Sequence, residues 1–201
     1  MPMGTRELIL QHVRRNQPAA RALPELPEFA HAEGSLLQIF SAALERMGGS
    51  VAPLPSHGSP GLLIRRLFPL ARVICSATPE VQGTRDIHAV KRPAELEDVD
   101  VGVVRAAFGV AETGSVGLTE HELVVNALAF LSQHLVVLLD PQAIVPGIAQ
   151  AYRRREFFDA RYAVLMTGPS ATADIEGVLI RGAQGIRSFT VIPMAAAAAA
   201  D

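Results

Sequence analysis

The spacing of apolar positions changes along the chain, and each change marks an element. Positions 5–17 set Leu8, Ile9, His12 and Val13 near one face of a short helix, after which Pro18, Pro24 and Pro27 impose an extended connector. A short helix on such a tether needs an external apolar surface, its own domain's or a neighbouring subunit's, so exchange of this arm within a homo-oligomer is one outcome. Positions 33–47 read as an amphipathic helix, with Leu36, Phe40, Ala43 or Leu44, and Met47 in one stripe and Gly48-Gly49 ending it. The expected division is an arm with its connector over 1–32 and one compact domain over 33–201.

Within that domain the pattern runs strand, helix, strand: a short strand around Val51, a helix over 61–67 and a strand around Val73, an order that suggests a parallel sheet. A second series follows, with a strand over 101–104, a loop around Glu112, a strand over 116–118, a helix over 120–131 that is apolar nearly all round, and a strand over 134–139. A helix over 143–157, a strand over 162–166, a short helix starting near Asp174 and a strand over 189–192 complete the chain. The continuous run Leu135-Val136-Val137-Leu138-Leu139 requires a sheet covered on both faces. The expected fold class is α/β, a three-layer α/β/α Rossmann-like domain with an N-terminal helical arm.

Composition narrows the function classes. With 201 residues, 49% of them apolar, the chain is long enough for one domain that buries roughly 70% of the surface its unfolded form exposes. A formal charge of −2 and a pI near 6.3 provide no footprint for nucleic acid or anionic lipid. The basic run Arg153-Arg154-Arg155 reads as the solvated C-terminal part of the 143–157 helix. No stretch approaches the roughly 20 apolar residues of a membrane span, so cytoplasm is the default compartment. The alanine run from Ala195 to Ala200 reads as a frayed or helical tail.

Cys75 is the only cysteine, so neither an intramolecular disulfide nor a cysteine-ligated cluster can be assembled from this sequence. In a strand, it reads as a small apolar filler. Histidines at 12, 31, 57, 88, 121 and 134 include no pair at helical metal-site spacing, so no metal site is expected. His134, opening a buried strand beside a polar turn, is a candidate ligand-binding residue whose simpler reading is a hydrogen-bonded core side chain.

Two loops carry the candidate chemistry. In the first, Glu112, Thr113, Gly114 and Ser115 place a carboxylate, two hydroxyls and a glycine between apolar strands. Such a loop suits anion or carbonyl recognition, with Glu112 as nucleophile or general base. The alternative is a tight strand connection in which Glu112 holds backbone donors. In the second, Gly168, Ser170, Thr172 and Asp174 run from a strand into the expected helix near Asp174, whose start would attract an anion. Against that, Asp174 and Glu176 would satisfy the helix dipole themselves, leaving Ser170 or Thr172 as a cap.

Taken together, Ala107-Phe108-Gly109-Val110-Ala111-Glu112-Thr113-Gly114-Ser115, Gln133-His134-Leu135-Val136-Val137 leading to Ile144-Val145-Pro146, the run from Thr167-Gly168-Pro169-Ser170 to Asp174-Ile175-Glu176, and Arg181-Gly182-Ala183-Gln184-Gly185 resemble the LUD-domain proteins. The likeness is specifically to the lactate-utilization protein C (LutC, YkgG-like) family, over about the last hundred residues. It departs at Gln184-Gly185-Ile186, where the family usually shows His-Gly-Pro. The resemblance implies a fold similar to the sugar-phosphate isomerase and CoA-transferase superfamily. It also implies a part in oxidising L-lactate to pyruvate beside cysteine-rich partner proteins that hold the iron–sulfur clusters, this chain needing no cofactor. On that footing the chain is an accessory subunit whose two loops bind a small carboxylate or a partner. The alternative is a stand-alone enzyme of CoA-transferase or sugar-phosphate type, because Glu112-Thr113-Gly114-Ser115-Val116-Gly117 is similar to the Glu-x-Gly-x-x-Gly stretch of class I CoA transferases. In that case Glu112 would act and the Ser170/Thr172 loop would hold a phosphorylated metabolite.

Overall fold

The structure, a computed structural model, describes residues 4–22, 24 and 34–196. The expected boundary near residue 32 and the end of the alanine tail lie outside the described residues.

A parallel six-stranded sheet forms the centre. Its strands are β1 (Ser50–Val51), β2 (Ile74–Ser76), β3 (Arg85–Asp86), β4 (Val101–Arg105), β7 (His134–Leu139) and β12 (Ser188–Pro193), in the order β1-β12-β7-β4-β2-β3. Every pairing in it is parallel. Alternation along β7 shows why the run at 135–139 had to be apolar throughout. Leu135, Val137 and Leu139 enter one core, while Val136 and Leu138 enter the other. Helix α3 (Pro60–Leu67) covers the second face with Leu63 and Ile64. Helix α2 (Leu36–Arg46) covers the first with Phe40 and Leu44, joined by the short helices α4 (Glu120–Leu123) and α5 (Leu128–Leu131). Helices on both faces of a parallel sheet make the expected three-layer α/β/α architecture.

A second, four-stranded sheet, ordered β8-β5-β6-β9, lies beside this core. It contains β5 (Phe108–Val110), β6 (Ser115–Thr119), β8 (Ile144–Val145) and β9 (Ala163–Met166). Val116 and Leu118 join the main core, while Phe108 and Val110 pack with Ala151 in a small cluster of their own. The strand at 108–110 was not anticipated by the sequence reading. It makes the Glu112 segment the hairpin turn between β5 and β6, the tight strand connection of the alternative reading.

Three expected helices are corrected. The helix expected over 120–131 is broken, with Val124 at φ 59 between α4 and α5. Leu123 and Leu128 are five residues apart, hence roughly 140° apart on a straight helix. The break lets both bury in one core. The helix expected over 143–157 begins instead as strand β8, stops at Pro146-Gly147, and resumes as two short helices, α6 (Ile148–Ala151) and α7 (Arg155–Asp159). The Arg153–Arg155 run is therefore not a helix C-terminus. Arg154 lies 5.0 Å over the Phe108 ring and pairs with Glu156 at 2.7 Å. The helix expected near Asp174 is a hairpin, β10 (Ala171–Ile175) against β11 (Val178–Arg181), closed by Glu176 and Gly177 at φ 53 and 72. Two adjacent positive φ values are what a two-residue hairpin loop needs. Asp174 therefore starts no helix, and the loop from Gly168 to Asp174 has no helix end through which to attract an anion.

The arm helix α1 (Thr5–Arg15) forms as expected. It buries no side chain, and Leu8, Ile9 and Val13 remain about half exposed.

Candidate functional site

The Glu112 segment is built by the hairpin that carries it. Gly114 N–H donates to the Val110 carbonyl, closing the turn, and Gly114 takes φ +68. A Cβ there would fall 2.6 Å from Leu44 Cα and closer still to its nitrogen, so only glycine lets the turn seat against α2. Gly168 repeats the device at φ +68, where a Cβ would lie 2.7 Å from the Met47 carbonyl oxygen. The two loops thus converge on the end of α2.

Side chains tie them together. The Thr113 hydroxyl lies 2.7 Å from that of Ser115, which in turn bonds to Thr167 across the two loops. Ser115 is 4% exposed, so this chain of hydroxyls runs inward from the rim at Thr113. Glu112 points elsewhere. It is exposed, and its Oε2 accepts the Ile148 N–H at 2.9 Å, capping the first turn of α6, while its own N–H donates to Pro146.

The other candidates are dispersed. Ser170 exchanges backbone hydrogen bonds with Ile186 and Gly182 and sits against Gly185. Thr172 donates to Asp174 at 2.6 Å, a contact local to β10. His134 stands at the amino end of β7, where its Nδ1 lies 2.8 Å from the Ser188 hydroxyl and its ring 4.7 Å from that of Phe68. It faces a cavity of about 780 Å³ shared with Asp100 and Arg187. Burial, with the Arg187 charge, pushes the imidazole below its ordinary pKa, against the pull of Asp100. The structure therefore brings Thr113, Gly114, Ser115 and Gly168 together, whereas the contacts of His134, Thr172 and Asp174 lie elsewhere.

Sequence reasoning missed Thr78, Glu80 and Arg105. They line a cavity of about 610 Å³ at the carboxyl ends of β2 and β4. The available signal was an arginine directly after the buried run Val101–Val104. Among the described residues, no group of three or more His, Cys, Asp or Glu side chains is placed to hold a metal ion. Nor is any described helix long and apolar enough to cross a membrane.

Comparison with known proteins gives the relatives and the family of the chain. The chain is 31% identical over 98 residues to the uncharacterized protein YkgG of Escherichia coli (strain K12), a match spanning 46% of this chain and 42% of that protein. It superposes on a DUF162 family protein of Deinococcus radiodurans with a TM-score of 0.62 at 16% identity, covering 79% of this chain and 95% of the other, a likeness of fold. The LUD domain matches residues 81–193, more than half of the 201 residues, and takes in both loops and strands β4 to β12. The chain belongs to the LUD-domain family.

Proposed function

We propose that this protein is a non-redox accessory subunit of a cytoplasmic iron–sulfur system that oxidises L-lactate to pyruvate. Cysteine-rich partner proteins carry the clusters. The observation that carries this reading is the LUD-domain match over 81–193, which contains every segment that resembles lactate-utilization protein C. Cys75 supports the division of labour. It is fully buried in β2, and burial, against the pull of Arg85, pushes its thiol up to about 11. It is thus a protonated core side chain at neutral pH. In this reading the rim formed by Glu112 and Thr113 faces a small carboxylate or the partner's interface. Purification from the native host tests it: cysteine-rich iron–sulfur proteins should co-purify, and deletion should abolish growth on L-lactate. Unaltered growth together with no such association defeats it.

The exposure of Glu112 favours one second reading, a stand-alone enzyme of CoA-transferase or sugar-phosphate type. Screening against CoA thioesters and phosphosugars tests it, and turnover should disappear in Glu112→Gln.

A further inference from the structure

A strand at the margin of a sheet presents a row of unpaired N–H and C=O groups, and proteins ordinarily blunt such margins. The two larger sheets end on β1, β3 and β8, which have two residues each, and on β9, whose four residues are all half-buried. Margins so short or so covered are poor templates for a further strand. The hairpin of β10 and β11 is built differently. It is a sheet of two strands with no third, and none of its described side chains joins a core cluster.

Its two edges are unlike. β10 is bulged, its register shifting between Thr172 and Ile175, and it carries the charge of Asp174. A bulge and a charge both discourage strand addition. β11 has neither along Val178-Leu179-Ile180, and Val178 and Leu179 are 60% and 58% exposed. The Gly182 N–H donates to the Ser170 carbonyl, and Ile180 pairs with Thr172. The alternation of an antiparallel ladder then turns the main-chain groups of Leu179 and Arg181 outward. No backbone hydrogen bond from the rest of the described chain reaches them.

This edge is complementary to itself. Antiparallel pairing about a two-fold axis through Ile180 sets Leu179 of one copy against Arg181 of the other and bonds every outward group on both strands. Ile180 then faces Ile180 at a non-hydrogen-bonded position, where side chains approach most closely, and each arginine faces a leucine rather than its like. A two-stranded hairpin is marginal by itself in water, and the pairing gives it a larger sheet. We propose that β11 is a dimerisation edge, through which two copies of this chain join their hairpins into one continuous sheet. The inference stands on strand geometry and exposure, and is independent of any role in lactate oxidation. A contact this narrow makes a dimer that forms and dissociates with concentration.

Sedimentation velocity of the full chain across a concentration series should therefore show a monomer–dimer equilibrium. Leu179→Pro removes an outward N–H and leaves the ladder to β10 intact, proline being tolerated on an edge, and should raise the dimer dissociation constant roughly tenfold or more. Ile180→Cys should give a disulfide-linked dimer under mild oxidation, because Cys75 is fully buried and only the introduced thiol is within reach of its mate. Ala173→Cys, exposed on β10, should not. A monomer at every concentration, an undiminished dimer in folded Leu179→Pro, no crosslink in Ile180→Cys, or a crosslink as efficient in Ala173→Cys each overturns the proposal. The two cysteine variants decide it if Leu179→Pro does not fold.

Discussion

The turn between β5 and β6 and the cleft at the ends of β2 and β4 both gather polar side chains, and they use them in opposite ways. At the turn, Thr113, Ser115 and Thr167 satisfy one another, Glu112 holds a backbone N–H, and Gly114 is pressed against α2. At the cleft, Arg105 keeps an N–H with no acceptor beside an open cavity. A dense polar motif can mark where a chain closes on itself. A buried donor left without an acceptor marks where a chain has not closed all of its hydrogen bonds.

The largest effect should come from breaking the turn. Gly114→Ala adds a Cβ within 2.6 Å of the α2 backbone and forces an L side chain to φ +68. Left-handed strain and overpacking together should cost about 3 kcal/mol. Urea denaturation measures this, and a wild-type midpoint would show that α2 and the hairpin are not closely joined.

The cleft ion pair should follow, at about 2 kcal/mol for Arg105→Ala, because removal of one partner leaves Glu80 buried and uncompensated. The double variant Arg105→Met/Glu80→Gln should recover most of that loss. Burial pushes the Glu80 carboxyl up, but the Thr78 hydroxyl, a backbone N–H and Arg105 outweigh it and hold it below its ordinary value of 4.5. A depressed folded pKa means that the stabilisation is fully present above about pH 4.5. It is lost as pH falls through the lower folded value. Denaturation midpoints measured between pH 6 and 3 (roughly, the carboxylate range) should fall less steeply in Glu80→Gln than in wild type. Equal slopes would mean that the pair contributes nothing.

How much of this was legible in the sequence follows the same contrast. The central strands were, because Leu135–Leu139 and Val101–Val104 are apolar at every position and only a sheet covered on both faces accommodates them. The Glu112 and Gly168 loops were legible as a pair, and the structure does join them. Short strands were not. Phe108–Val110 and Ile144–Val145 are too brief to show a period, and they pair with each other across 35 residues of sequence. The hairpin at 171–181 was mistaken for a helix start because Asp174 and Glu176 mimic acidic first-turn residues, whereas Gly177 was the turn signal. The cleft was invisible because nothing local joins Thr78 to Arg105; strand order alone does.

A smaller change should follow from cutting the hydroxyl chain. Ser115→Ala leaves Thr113 and Thr167 without their shared partner in a nearly buried position, at a cost of about 1 kcal/mol. Ser115→Thr, which keeps the hydroxyl but adds a methyl group, separates the lost hydrogen bond from simple crowding. If Ser115→Ala unfolds at the wild-type midpoint, the chain of hydroxyls is not what holds the two loops together.

Glu112→Gln should change stability least, by about 0.5 kcal/mol. The amide oxygen can still accept the Ile148 N–H, the site is exposed, and α6 has only four residues whose dipole the lost charge could complement. That near-neutrality makes the variant informative about function. If the proposed lactate role holds and the carboxylate serves only to cap α6, folded Glu112→Gln introduced into a deletion strain should restore growth on L-lactate as fully as the unaltered protein. A folded variant that fails to restore growth would mean that the carboxylate acts beyond the fold. The turn would then carry chemistry besides its part in joining the two sheets.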